Sequence, residues 1–225
     1  MRESTKSTAY RPPEFFGKYL TGKVIDIGCG DDPVTTSAEP FDVADGDANE
    51  VLKFRPAQSY DTVYSSHCLE HMNDPVSALD QWWGLLKPGG YLVVVVPDEN
   101  LYEQGYWPSI FNNDHKATFR ISGAQSWSPV SVDLRAAIGS LPNAEIVMAE
   151  VQDNGYDYGL QQRGTRHSYF LRKRADRLVR LGSRLPAIKS PIVRLLRLFA
   201  LCGTPIDQTR GDALAQIQVI ARKRR

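Results

Sequence analysis

Residues 91–97 read YLVVVVP, an apolar and mostly β-branched run with no polar face. Such a strand must be covered on both sides, which places it inside a sheet rather than at its edge. A helix signal precedes it in NDPVSALDQWWGLLKPGG. Asp74 can cap that helix, Pro75 suits its first turn, and Val76, Leu79, Trp83 and Leu86 share one face. Lys87-Pro88-Gly89-Gly90 ends it. Shorter strand candidates lie at 24–27, 40–43, 45–48 and 60–65, and longer ones at 144–151 and 213–223, with a helix expected over 130–141. Strands alternating with helices predict an α/β fold built on a mostly parallel sheet with helices on both faces. In such sheets ligands bind beyond the carboxyl ends of the strands, so Gly28, Ser65, Pro97 and Gln152 are expected to converge.

A chain of 225 residues, 42% hydrophobic and 24% charged, can bury a substantial core. A single domain over 1–225 is expected, with an N-terminal arm at 1–20 and a lid or substrate loop at 98–127. Cys29, Cys68 and Cys202 are too scattered for a disulfide framework or a closed zinc site. The opening residues lack the apolar core of a signal peptide, and no run approaches the roughly 18 apolar residues of a membrane span. These features predict a cytoplasmic protein. The net charge of +1 conceals an asymmetry. Residues 1–162 hold 11 basic and 23 acidic side chains, whereas 163–204 hold 11 basic residues and one acid, Asp176. Two parts so different in charge are expected to do different work.

Val24 to Ile27 stops at Gly28-Cys29-Gly30, followed by Asp31, Asp32 and Pro33. A dinucleotide fingerprint would carry a third glycine and lead into a helix. Two acids at that point would repel a pyrophosphate, so the turn suits a nucleoside ligand that carries positive charge. Asp42 closes the next strand candidate, where a carboxylate can accept from ribose hydroxyls.

Taken together, four segments resemble the class I S-adenosylmethionine-dependent methyltransferases. Asp26-Ile27-Gly28-Cys29-Gly30 is similar to their glycine loop, and Gly46-Asp47-Ala48 to their adenine-contacting segment. Ser66-His67-Cys68-Leu69-Glu70-His71 is similar to the segment after a central strand, and Lys87–Gly90 to the turn before the next. The resemblance implies a Rossmann-like seven-stranded sheet with its last strand antiparallel, and S-adenosylmethionine as cofactor. It implies cofactor-binding roles for Asp26, Gly28, Cys29, Gly30, Asp42, Asp47, Ala48, Ser66 and His67. Only 11 residues separate Gly30 from Asp42, so the family's first helix must be shortened or lost, and Asp45 competes with Asp42 for the ribose.

His115 lies in the irregular stretch after the 91–97 strand, where acceptors enter this fold, and could take a proton from an acceptor hydroxyl. Tyr102, Asn154, Tyr156 and Gln208 are the expected acceptor-binding residues. His67 and His71 match an H-x-x-E-H zinc spacing, but the sequence offers no third ligand at a matching position. No metal is expected. Methyl transfer from a sulfonium needs alignment more than strong catalytic groups. The expected reaction is therefore direct displacement onto a small-molecule or glycan-type acceptor, a sugar or lipid-linked saccharide included, at a hydroxyl.

Residues 163–204 predict a helical basic insertion before the last strand. One helix carries a stripe of Leu171, Leu178, Leu181 and Leu185. A second is capped by Ser190, begins at Pro191, and stops at Gly203. This segment can contact a membrane, on the inner membrane face, pack on its own domain, or pair with a twin subunit. Nucleic acid is not expected, because the rest of the chain is acidic. A non-catalytic cofactor-binding module docking through 163–204 is the alternative to an enzyme.

Overall fold

A computed structural model describes residues 3–121, 123, 125–161 and 169–225. The first six residues of the predicted basic insertion, 163–168, lie outside the described residues. In chain order the elements are α1 (Glu3–Thr8), α2 (Pro13–Tyr19), β1 (Val24–Ile27), β2 (Glu39–Phe41), β3 (Tyr60–Ser66), α3 (Pro75–Gly84) and β4 (Leu86–Pro97). They continue with β5 (Thr118–Arg120), β6 (Ser131–Asp133), α4 (Leu134–Gly139), β7 (Ala144–Gln152), α5 (Tyr169–Arg184), α6 (Lys189–Leu201) and β8 (Gln216–Lys223).

Six strands form the main sheet in the order β2-β1-β3-β4-β8-β7. The first four are mutually parallel, and β8 runs antiparallel between β4 and β7. The expected seventh strand at 45–48 is absent. Asp47 instead accepts a hydrogen bond from Asn49 N at 2.8 Å and caps a 3-10 turn over Ala48–Lys53. β4 sits centrally, as its apolar run requires. Strand order reverses on the two sides of β1, which opens a crevice beyond the ends of β1 and β3.

Alternation along the strands sorts the core into two layers. Ile25, Ile27, Leu92, Val94, Val96, Ile217 and Val219 face α3 and α4, where Leu79, Trp82, Trp83 and Ile138 complete the larger cluster. Val24, Tyr64, Val93 and Ile220 face the opposite way, onto Phe15 and Tyr19 of α2. The short crossover between β1 and β2 contains no helix. The N-terminal residues read as an arm take that helix's place: they fold into α1 and α2 and cover the layer.

Asp74 caps α3 as expected, its Oδ1 accepting from Val76 N at 3.0 Å and Ser77 N at 3.1 Å. The buried face differs from the predicted stripe: Val76 is exposed, and Ala78, Leu79, Trp82 and Trp83 are buried. Leu86 already belongs to β4, paired with Tyr60. The helix expected over 130–141 is shorter, because Ser131–Asp133 pair with Thr118–Arg120 as a small second sheet. Asp133 then caps α4.

The two basic helices form, the first with an altered face and the second with an altered start. α5 buries Ala175, while Leu181 and Leu185 of the predicted stripe are exposed. A 3-10 turn over Pro186–Ile188 carries the chain straight into α6 at Lys189, so Ser190 lies inside the helix rather than capping it. Ile192, Leu196 and Ala200 pack with Ala175, Leu160 and Ile206 as a third cluster. Gly203, at φ +79°, ends the helix and donates to Ala200 O at 2.8 Å. No described helix is long and apolar enough to cross a membrane.

Candidate active site

The turn after β1 is held from both sides. Gly28 N donates to Phe41 O at 2.8 Å, and Gly30 N donates to Asp42 Oδ2 at 2.6 Å. Gly28 and Gly30 have φ of +76° and +52°, a region that side chains disfavour. Their bare α-carbons serve different ends. A Cβ on Gly28 would overlap the Cys68 side chain, whereas one on Gly30 would meet nothing nearer than Asp42 Oδ2 at 3.9 Å. Gly28 therefore lets the turn pack on the segment after β3, and Gly30 leaves main chain open to a ligand.

Asp26 lies beneath this turn, fully buried, and accepts from Val34 N at 2.7 Å through Oδ2. Burial raises its carboxyl to a pKa of about 7, against the lowering effect of that bond. It shapes the loop from below and does not line the cleft. Asp45, the rival for the ribose, lines neither the cleft nor the recess beside it, whereas Asp42 lines both. It accepts from Asp42 N at 3.0 Å and faces Arg55 at 3.7 Å.

A cleft of about 560 Å³ opens above the turn. Gly28, Cys29, Gly30 and Asp42 form one wall, Ser66, His67, Glu70 and His71 the floor, and Tyr102, Asn112 and His115 the far end. A second recess, bounded by Gly46, Asp47 and Ala48, shares Gly28, Asp42, His67 and His71 with it. The two make one continuous groove across the strand ends. α1 roofs it: Glu3 and Ser4 line the cleft, Thr5 binds Asp32 with N to Oδ2 at 2.9 Å, and Lys6 Nζ donates to Thr209 O at 2.8 Å.

His67 follows β3 at φ +55°. It does not share a helix face with His71, as a zinc spacing would need, because only a 3-10 turn over Leu69–His71 follows. Its Nε2 meets Gln216 Oε1 at 2.9 Å and its Nδ1 meets Glu70 Oε1 at 3.4 Å. Burial alone would depress this imidazole, but the bond to Glu70 and the charges of Glu3 and Glu70 outweigh it and raise the pKa to about 9. The same pairing holds Glu70 below the usual carboxylate range despite burial. Burial raises both the Cys29 thiol, to about 11, and the Cys68 thiol, so neither is an activated nucleophile at neutral pH.

At the far end His115 Nδ1 lies 2.7 Å from Glu103 Oε1, both side chains buried. A carboxylate can only accept, so Nδ1 carries the proton and Nε2 is the basic nitrogen. The ring stands 5.3 Å from Tyr102 and 5.1 Å from His71, centroid to centroid. Burial raises the Tyr102 phenol, which stays protonated.

Comparison with known proteins gives this groove its context. The family model described as a methyltransferase domain matches residues 6–129, more than half of the chain. The chain belongs to this methyltransferase family. A SAM-dependent methyltransferase of Archaeoglobus fulgidus superposes over 99% of this chain and 95% of its own, at 18% identity and a TM-score of 0.50. A Haloferax volcanii protein solved in complex with the Trm112 methyltransferase activator aligns over 100% and 90%, at 12% identity and a TM-score of 0.49. No curated protein sequence matches significantly. The protein is thus a class I methyltransferase, an enzyme whose cofactor is S-adenosylmethionine.

Of the residues anticipated for this methyltransferase, Gly28, Cys29, Gly30, Asp42, Ser66, His67, Tyr102 and His115 line the cleft, and Asp47 and Ala48 line the adjoining recess. Four lie elsewhere, Asp26 beneath the turn among them. Tyr156 gives its hydroxyl to Leu101 O at 2.7 Å, Gln208 binds Asp157 N and O at 2.8 and 2.9 Å, and Asn154 borders a separate cavity near β7. Gln152 is linked to the cleft through Gln216, whose Oε1 accepts from His67 Nε2 at 2.9 Å and whose Nε2 donates to Gln152 Oε1 at 2.7 Å. Glu70, Glu103 and the α1 residues join the site without being expected there: Glu70 lies inside the Ser66–His71 segment, and Glu103 carries no local signal of its partner His115.

Proposed function

We propose that this methyltransferase transfers the methyl group of S-adenosylmethionine to a hydroxyl on a small-molecule or glycan-type acceptor by direct displacement. One observation carries the reading: a single groove joins the turn and carboxylate suited to a cationic nucleoside with a far end built around His115. The methionine part lies on Gly30, the ribose on Asp42, and the adenine beside Asp47 and Ala48. The acceptor lies against Tyr102 and Asn112, its hydroxyl activated by His115. Its oxygen forms a bond to the methyl carbon, the carbon–sulfur pair stays on sulfur, and the hydroxyl proton passes to His115 Nε2. The protein's work is alignment and exclusion of water under α1. His115→Ala should lower kcat about 100-fold or more with a screened hydroxyl acceptor while S-adenosylhomocysteine binds normally. Unchanged turnover would remove that role.

The helical hairpin favours an acceptor presented at a lipid surface. Lys173, Arg174, Arg177, Arg180, Arg184, Lys189 and Arg194 are exposed. Leu181, Leu185, Ile188, Leu195, Leu198 and Leu201 are exposed among them, with Leu201 at 84%. Apolar side chains ringed by cations suit an anionic bilayer face. α5 also touches the acceptor end, Arg172 Nη1 donating to Ile110 O. A lipid-linked saccharide acceptor and a peripheral position on the inner membrane face follow from this reading. Vesicles with anionic lipid should capture the protein, and neutral vesicles should not.

A further inference from the structure

Glu70, His71 and His115 place one ligand atom each within 4.8 Å of one another at the acceptor end of the groove. The cluster assembles across the chain, from the turn after β3 and from the loop before β5. Each group is already oriented by a neighbour. Glu103 holds His115 at Nδ1, and Asp114 Oδ2 lies 3.0 Å from His71 Nδ1, so each ring has Nε2 left over. Glu70 gives Oε1 to His67, while its buried Oε2 has no hydrogen-bond partner. Glu103 Oε2 is likewise buried without one.

We propose that Glu70, His71 and His115 bind a divalent first-row transition-metal cation, which fixes the acceptor hydroxyl and activates it for methylation. Three acceptor atoms converge with no N–H or O–H donor among them, an arrangement that costs free energy until a cation fills it. Two imidazoles and one carboxylate favour zinc, manganese, iron or cobalt over magnesium or calcium, and three protein ligands leave coordination positions for an acceptor. The carboxylates behind both histidines match the outer partners that orient metal-bound imidazoles. Bond lengths near 2.1 Å set the donors of a tetrahedral or octahedral site about 3.0–3.4 Å apart, so donor atoms that lie within 4.8 Å of one another close by up to about 1.8 Å when the cation enters. In the reaction the coordinated hydroxyl releases its proton to solvent, its oxygen takes the methyl, and S-adenosylhomocysteine leaves with the carbon–sulfur electron pair.

This inference rests on the reading of the protein as a hydroxyl methyltransferase but gives the His115 Nε2 lone pair to the cation instead of to the acceptor proton, and the two fail separately. The full chain, stripped with a chelator, is titrated with Co²⁺ and followed by its visible d–d absorption and by calorimetry. S-Adenosylhomocysteine binding is measured on the same samples. The expected result is one equivalent of Co²⁺ with nitrogen-ligand bands. In His71→Ala and in His115→Ala it should weaken by more than the about 10–100-fold that loss of an outer partner costs. Homocysteine-product binding should persist in both. Activity should fall on chelation and return with added cation. Wild type that binds S-adenosylhomocysteine but no Co²⁺, or Co²⁺ binding equal in both variants, would overturn the cation site and leave His115 as a direct base. Co²⁺ binding without S-adenosylhomocysteine binding would keep the site and sink the methyltransfer reading instead.

Discussion

The two ends of the groove are built from different materials. The cofactor end is main chain, set by two left-handed glycines and by Asp42 accepting from Gly30 N. The acceptor end is side chain, an array of buried carboxylates and imidazoles from Glu70 to His115 with two oxygens left unpaired. A surface of backbone suits a ligand that every member of a family shares. An array of buried charge can be altered residue by residue, and its energetics depend on what fills it. The contrast can be broken or sharpened by substitution at each end.

The largest effect is expected at Gly28. Gly28→Ala needs a positive φ and overlaps Cys68, and overpacking plus the left-handed penalty cost about 3 kcal/mol. Thermal melts should show a marked loss of stability, and cofactor binding should be lost with it. If Gly28→Ala binds as wild type does, the cofactor end does not depend on that turn.

His115→Ala tests the other end, with a large effect on kcat and a small one on S-adenosylhomocysteine affinity. A parallel loss of both would mean that the ends are not separable. Weaker still is the expected effect of Leu198→Asp with Leu201→Asp on the hairpin. Vesicle capture should fall about 30-fold, since each of the two exposed leucines contributes on the order of 1 kcal/mol of apolar transfer. Methylation of a water-soluble acceptor should not change.

A pH-dependent effect lies beneath the cofactor end. Asp26 is raised to about 7 by burial, so the folded protein binds its proton more tightly than the unfolded chain does. Its contribution to stability is complete below the unfolded value near 4 and is lost as pH rises through about 7. Asp26→Asn keeps an acceptor for Val34 N and removes the titration. The melting temperatures of the two proteins should therefore diverge in the variant's favour between pH 4 and 7. Parallel curves would show that Asp26 is not buried as an acid.

The same contrast explains what could be read from the chain. The cofactor end is local: Gly28, Gly30 and Asp42 lie within 15 residues, and their chemistry follows from residue type and strand position. β4 was legible because its run admits no exposed face. The acceptor end draws Glu70 to His115 and α1 to Asp32 across long separations, which no spacing reports. Asn154 and Tyr156 were expected at the cleft because they follow a strand. β7 is the edge strand, however, and its end lies two strands from β4. The buried face of α5 differs from its leucine stripe for a related reason: periodicity gives an apolar stripe, but packing on Leu160 and Ile206 decides which side chains are buried.

The central claim is that this groove holds S-adenosylmethionine with its ribose on Asp42. Calorimetric titration of S-adenosylhomocysteine into wild type and Asp42→Ala tests it most directly. The account predicts one equivalent bound by wild type and an affinity about 50-fold weaker in the variant, consistent with loss of charge-assisted hydrogen bonds. Equal affinity in the two proteins would take the ribose away from Asp42, and no binding to wild type would contradict the account itself.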